Sequence, residues 1–280
     1  MSIRGAELSI YGIQRKPFIN PKIILRTMPN QRLMLNFWGK ELTVTIYDVN
    51  KNTFTKLGLN PAIFKSGVKV YVLDEKNFCA FCEQTQEAPS PLVIPPKPGT
   101  KMIEIPTKEV TPNRAIDIET SQALYPLSKR GELDAVRRGE IDFLPSHSRV
   151  ILLHENFTAL ELTHELIHDI FLGPLYSYSD RMFFILYLID SLKKAYADCD
   201  AAVLKFFEEV NNRCQMPYQI DALKNQEISL RDPLEIGPNL FTYAGECFVY
   251  AWETLLGYED QALGKVPAEL QDLLEKYPIR

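Results

Sequence analysis

The stretch "LTHELIHDIF", Leu162–Phe171, places two histidines and a glutamate in an otherwise apolar segment. Upstream, Thr158 is followed three residues later by Glu161, a capping-box pattern that marks the start of a helix. Downstream, Gly173 and Pro174 interrupt helical geometry and predict where that helix ends. The sequence therefore predicts one buried helix that carries the polar residues of this stretch.

The histidines of this helix have the spacing of metal ligands. His164 and His168 are four residues apart, so both imidazoles project from one helix face and can reach one metal ion. Glu165 follows the first histidine and can accept a proton from an attacking water without itself binding the metal. The competing interpretation is a core helix whose polar residues pair with one another. Because burying these groups without partners costs several kcal/mol, the pattern favours a Zn²⁺ site.

Catalytic zinc needs three protein ligands, and two downstream segments offer the third. In "AYADCDAAVLKFF", Asp198 or Asp200 lies about thirty residues after the second histidine. In "NLFTYAGECFVYAWETLLG", Glu246, Tyr250 and Glu253 fall at i, i+4 and i+7, one stripe of a predicted helix that is otherwise apolar. The residue pattern alone leaves both segments as candidates.

The sequence "HELIH", followed by "ECFVYAW" and a closing "VPAELQDLLEKY", resembles the catalytic domain of anthrax lethal factor and its relatives. Those proteins are gluzincin metallopeptidases, and the resemblance covers the chain from about Arg149 to its C-terminus. It implies a zincin-like fold and a zinc ligand at Glu246 in preference to Asp198. It also implies that Tyr243 donates a hydrogen bond to the oxyanion.

The residues that would orient the histidines depart from the family's pattern. The family often has a second acidic residue one turn after the ligand glutamate, where this chain has Tyr250. It also has aspartates a turn past the second histidine, where this chain has Phe171 and Leu172. Asp169 is the nearby acid, and helix geometry turns it about 100° away from the metal-facing stripe.

The predicted function is a zinc-dependent metalloendopeptidase acting on a protein or peptide substrate, with Glu165 as general base. The alternative is a catalytically inactive zincin-like binding module whose β-rich N-terminal part recognises a protein partner. A strand predicted at "RVILLH" is an edge along which an extended substrate can lie. His154 at its end is expected at the surface, and His147 lies in a "PSHS" loop.

The predicted fold class is α+β, with three parts along the chain. Residues 1–88 are expected to form a β-rich module, because "ELTVTIYDV" and "GVKVYVL" alternate apolar and polar residues as half-buried strands do. Five prolines in "EAPSPLVIPPKPG" predict a linker over residues 89–100. Residues 101–280 are predicted to form a mainly helical domain with a small sheet, including one long helix from about Asp180 to Asn211.

Composition limits the class of partner. The 280 residues include 31 Lys+Arg and 36 Asp+Glu, a formal charge of -5 without a long run of one sign, which argues against nucleic-acid binding as the main function. The longest apolar run, "MFFILYLI", is too short to span a membrane. The N-terminus lacks the pattern of a secretory signal, so we expect a cytoplasmic protein or an effector secreted by a signal-independent route.

Cysteines do not indicate a disulfide framework, since the chain has only five. Cys79 and Cys82 form one CxxC, which we interpret as unlinked cysteines in a half-buried turn rather than half of a zinc site or a redox pair. The sequence carries no signal for a particular oligomeric state.

Overall fold

The computed structural model of the chain describes residues 25–37, 40–74, 76, 92–93, 104–105, 123–124, 130–145, 149–213, 238–258 and 264–275. These residues form an α+β structure, as predicted, and none of the described helices is both long and apolar enough to cross a membrane. In chain order the elements are β1 (Arg26–Phe37), β2 (Lys40–Asp48), α1 (Lys51–Leu57), β3 (Lys69–Leu73), β4 (Leu92–Val93), β5 (Glu104–Ile105), β6 (Ala123–Leu124), α2 (Arg130–Arg137), β7 (Val150–His154), α3 (Ala159–Leu172), α4 (Tyr178–Ala197), α5 (Ala201–Arg213), α6 (Pro238–Leu255) and α7 (Ala268–Glu275).

Five of the strands form one mixed sheet in the order β1-β2-β3-β7-β6. Neighbouring strands are antiparallel except β3 and β7, which run parallel with Lys69 opposite Val150. All of β7 is buried, and Tyr71 in β3 is fully buried. The half-buried pattern predicted for "GVKVYVL" is therefore wrong. Both strands lie inside the sheet, and of the residues of β3 only Lys69 is partly exposed.

Pairing of β3 with β7 joins the first and last parts of the chain in one sheet. β3 belongs to residues 1–88 and β7 to residues 101–280. The sheet therefore contains strands from both predicted modules. Of the predicted linker, residues 89–100, only β4 is described, and it pairs with β5 in a separate two-stranded sheet. The positions of the module boundaries stay a prediction.

Strand β7 is not the edge that the sequence predicts, because it has β3 on one side and β6 on the other. Among the described strands, β6 is the outermost on that side. His154 at the end of β7 is buried rather than at the surface, and its Nδ1 accepts a hydrogen bond from the backbone N–H of Asn156 at 3.1 Å. His147, Cys79 and Cys82 lie outside the described residues.

Helix α3 begins and ends where the sequence predicts. The Thr158 hydroxyl accepts a hydrogen bond from the backbone N–H of Glu161, and the Glu161 carboxylate accepts one from the backbone N–H of Thr158, which completes the capping box. The helix ends at Leu172, and glycine follows because a Cβ at Gly173 would lie 2.3 Å from the carbonyl oxygen of Asp169.

The long helix predicted from Asp180 to Asn211 is instead two helices, α4 and α5. Asp198 is the C-cap of α4, and Cys199 follows with φ 54°, a left-handed conformation that a helix cannot continue through. The Asp200 carboxylate then accepts hydrogen bonds from two backbone N–H groups in the first turn of α5, at 3.1 Å each. These three residues therefore end one helix and start the next.

Candidate metal centre

The site lies where helices α3 and α6 pack against each other. Phe171 of α3 contacts Phe248 of α6 with ring centroids 4.9 Å apart, within the main hydrophobic core. This contact holds the two helices so that the histidines of α3 face the acidic stripe of α6. Apolar packing thus positions the polar groups.

Three side chains direct their donor atoms toward one point. The Nε2 atoms of His164 and His168 lie 3.2 Å apart. The nearest carboxylate oxygens of Glu246 lie 3.6 Å from Nε2 of His164 and 3.4 Å from Nε2 of His168. Between 12% and 20% of each side chain is exposed, so the cluster is shielded without being sealed. Among the described residues, these three form a group that can hold a metal ion.

The separations fit the ligand spacing around zinc. Zn–N and Zn–O bonds of about 2.0 to 2.1 Å in a tetrahedral site place neighbouring ligand atoms about 3.3 to 3.4 Å apart. The two Nε2 atoms, 3.2 Å apart, and Oε1 of Glu246, 3.4 Å from Nε2 of His168, are close to this spacing, and Oε2 of the same carboxylate lies 3.6 Å from Nε2 of His164. The two imidazole nitrogens are 3.2 Å apart, so at most one proton fits between them. Protonation of both nitrogens therefore cannot satisfy the cluster in place of a metal ion. Two histidines and one glutamate also match a zinc site that keeps its fourth position open.

Glu253 contacts the other nitrogen of His164. Its Oε1 lies 3.0 Å from His164 Nδ1, and the residue is 5% exposed. When Nδ1 carries the proton, it donates a hydrogen bond to this carboxylate. The lone pair of Nε2 then points toward Glu246. A carboxylate in this place fixes the tautomer and ring orientation of a metal-binding histidine. Glu253 therefore supplies the orienting acid that the sequence left unassigned.

The charges of the cluster are out of balance. Burial raises the pKa of Glu165 to about 7, although the two histidines oppose the rise. Burial alone would lower the pKa of His164, but the surrounding carboxylates, Glu253 foremost, raise it to about 10. Burial also acts to raise the pKa of Glu246, and the histidines outweigh it and hold that pKa below its usual range. Three carboxylates around two imidazoles make a site that attracts positive charge.

Tyr243 is not where the resemblance puts an oxyanion donor. Its side chain is fully buried, and its hydroxyl donates a hydrogen bond to the backbone carbonyl of Phe207 in α5 at 3.0 Å. The residue ties α6 to α5 inside the core. This hydrogen bond uses the hydroxyl in helix packing, and the oxyanion role of Tyr243 stays a prediction.

Tyr250 is the tyrosine that borders the histidines. Its ring meets the ring of His164 edge to face, with centroids 5.2 Å apart. The guanidinium carbon of Arg213 lies 5.6 Å from the centroid of the same ring. Burial, together with the nearby carboxylates of α6, raises the pKa of the Tyr250 hydroxyl, and Arg213 partly opposes this rise. The hydroxyl is therefore protonated at neutral pH and available as a hydrogen-bond donor.

Asp169 faces away from the cluster, as helix geometry predicts. Its carboxylate accepts two hydrogen bonds from Arg149, at 2.8 Å from Nε and 2.6 Å from Nη2, and both side chains are buried. The same guanidinium also donates to the carbonyls of Lys65 and Ser66, at 3.3 and 2.9 Å. Asp169 thus anchors α3 to the sheet and to the loop before β3.

The alternative third ligand, Asp198, is not brought to the histidines. It is exposed at the C-cap of α4, and Asp200 beside it caps α5. Within the described part of the chain, only Glu246 joins the two histidines in a group of metal-ligand type.

Comparisons of the chain with protein-family models, with curated proteins and with solved structures find no match in any of the three. The resemblance to the lethal factor family therefore stays a prediction. What this chain does has to be argued from its own site.

Sequence reasoning missed the roles of Glu253, Tyr250 and Arg149. The first two lie on the acidic stripe that the sequence predicts for α6, so a search along that stripe for a partner to each imidazole nitrogen would have found Glu253. Arg149 lies directly before β7, and nothing in its local sequence indicates a buried partner twenty residues later.

Proposed function

We propose that this chain is a zinc-dependent metalloendopeptidase. The observation that carries the proposal is the convergence of two imidazole nitrogens and a carboxylate at zinc spacing, with Glu165 beside the first histidine. A zinc ion held by His164, His168 and Glu246 would act as a Lewis acid on the scissile carbonyl and lower the pKa of water to about 7.

Glu165 is the general base in this proposal. Burial favours the protonated form of this carboxyl, which makes it a stronger base than an exposed glutamate. As water attacks the carbonyl carbon, the Glu165 carboxylate takes one of its protons. The same carboxyl then gives that proton to the peptide nitrogen as the carbon–nitrogen bond breaks, which releases an acid and an amine.

Two further features support this proposal. Glu253 holds His164 in one orientation, so that the ligand nitrogens need little reorganisation. The outer side of β6 is the sheet edge nearest to α3 among the described strands, and a sheet edge offers main-chain hydrogen bonds to an extended peptide.

An inactive zincin-like binding module was the alternative because no acid was assigned to orient the histidines. Glu253 now occupies that position beside His164. For His164 this contact weakens the motivation for the alternative, and it supports the catalytic proposal.

The test is a digest of a diverse peptide library with zinc measured on the same samples. Wild type should contain one zinc per chain and cleave. Glu165→Gln should keep its zinc and lose cleavage by about 10²- to 10⁴-fold, the contribution typical of general acid–base catalysis. Glu208→Gln, an exposed glutamate of α5, is the matched control and should behave as wild type.

Two results would contradict the proposal. Undiminished cleavage by Glu165→Gln would show that the activity comes from elsewhere. A wild-type protein with full zinc and no cleavage of any library peptide would favour the binding module.

A further inference from the structure

Arg213, the last residue of α5, brings an exposed positive charge to the rim of the metal centre. Its guanidinium carbon is 5.6 Å from the centroid of Tyr250, whose ring is 5.2 Å from that of His164. Together these distances place the guanidinium within about 11 Å of the His164 ring, a span of about three residues of an extended peptide. A side chain of a peptide lying across the site can therefore reach it.

The contact with Tyr250 keeps this cation in place. A guanidinium near an aromatic ring is attracted to the ring's negative face. Tyr250 is itself fixed, because it lies on α6 between Glu246 and Glu253, one turn from each. A long, exposed side chain that would otherwise sample many rotamers is thus held at one side of the site.

The charge distribution defines what this arginine can recognise. The inner carboxylates, Glu165, Glu246 and Glu253, surround the histidines, and the divalent ion of the proposed function would offset two of their three charges. Farther from the histidines, Arg213 adds a positive charge beside the Tyr250 ring. Its planar guanidinium presents paired N–H donors that match the two oxygens of a carboxylate.

We propose that Arg213 is a specificity-determining residue that binds an aspartate or glutamate side chain of the substrate, within about three residues of the scissile bond. This inference rests on the proposed peptidase function. It adds to that function a substrate class, acidic peptides.

Binding to the zinc-loaded Glu165→Gln variant tests the inference without turnover. The probes are ten-residue peptides in which Asp, Asn or Lys occupies each position in turn, and affinity is measured by fluorescence anisotropy. We expect Asp to bind about tenfold more tightly than Asn at one or two positions, as a single charge-assisted contact gives. With Arg213→Glu added, the preference should invert in favour of Lys. Lys205→Glu, exposed on the same helix, should leave the preference unchanged.

The outcomes separate this inference from the function on which it rests. Equal binding of the Asp and Asn peptides overturns the role of Arg213. So does an Arg213→Glu variant that loses zinc and weakens all three peptides alike, because the arginine then only balances the inner carboxylates. Wild-type cleavage without acidic preference overturns this inference and leaves the peptidase. An inverted preference in binding, with no wild-type cleavage, leaves the Arg213 site and overturns the peptidase.

Discussion

Helix α3 takes part in two clusters of charged side chains, one at Asp169 and one at His164 and His168, less than two turns apart. At Asp169 a single guanidinium meets a single carboxylate with two short hydrogen bonds, and two further N–H groups of the arginine donate to backbone carbonyls. At the histidines, three carboxylates surround two imidazoles, and the ligand atoms point at one another. The first cluster pairs its charges within the protein, whereas the second has more carboxylates than imidazoles, and in our proposal a metal ion completes it.

We propose that this difference separates a structural group from a functional one. A buried pair whose charges and hydrogen bonds balance needs nothing else, and removing one partner leaves an uncompensated charge. A buried cluster with excess negative charge and converging lone pairs is costly without a ligand. Substitutions at the two clusters should therefore have opposite consequences for stability and for metal binding.

The largest expected effect is the loss of metal at the histidine cluster. Glu246→Ala removes one of three protein ligands, so bound zinc should fall from one equivalent to none after dialysis, while the far-UV circular dichroism stays close to wild type. Asp198→Ala is the control and should keep its zinc. If Glu246→Ala retained zinc and Asp198→Ala lost it, the ligand assignment would be wrong.

The next largest effect is on folding, at the Asp169 cluster. Asp169→Asn leaves the Arg149 guanidinium buried without its counter-charge and should lower the free energy of unfolding by about 3–5 kcal/mol. The measurement is urea denaturation in the presence of a chelator, in which Glu246→Ala should cost much less. Zinc stoichiometry of the folded Asp169→Asn protein should stay at one. A loss of zinc without a loss of stability would mean that Asp169 serves the metal.

A smaller effect is expected where a residue acts on the metal through a ligand. Glu253→Gln keeps the shape but removes the charge that holds His164, so zinc affinity should fall about 10- to 100-fold, as is typical for partners of ligating histidines. Competition with a chromogenic zinc chelator measures this. Unchanged zinc affinity would show that Glu253 does not orient His164 for metal binding.

The smallest effect is expected from Tyr243→Phe. Loss of one buried hydrogen bond, to the Phe207 carbonyl, should lower the free energy of unfolding by about 1 kcal/mol. Peptide cleavage should be unchanged, since the hydroxyl is used in packing. A drop in turnover of about 10² or more, the size expected for an oxyanion donor, would instead support the role implied by the family resemblance.

Local signals made the histidine helix predictable. The capping box at Thr158, the glycine at 173 and the i, i+4 histidines all act within a few residues, so the sequence determined both ends of α3 and the face of its ligands. The acidic stripe on α6 was equally visible, and Glu246 is the member of it that meets the histidines.

Features that depend on tertiary packing were not predictable in the same way. Tyr243 lies about one turn before Glu246 on α6, but the position of α5 decides that its hydroxyl meets Phe207. The break between α4 and α5 rests on a left-handed Cys199, a conformation for which cysteine gives no sequence signal. The burial of β3 and β7 follows from their place inside a sheet whose strand order no short pattern specifies.

The most direct test of the metal centre is zinc-edge X-ray absorption on the purified, zinc-loaded chain. We expect one zinc per chain with N and O neighbours at about 2.0 to 2.1 Å, including the outer-shell signature of two imidazoles, and this signature should be lost in Glu246→Ala. A shell of sulfur neighbours at about 2.3 Å, or zinc bound equally well by Glu246→Ala, would place the metal elsewhere and contradict the account.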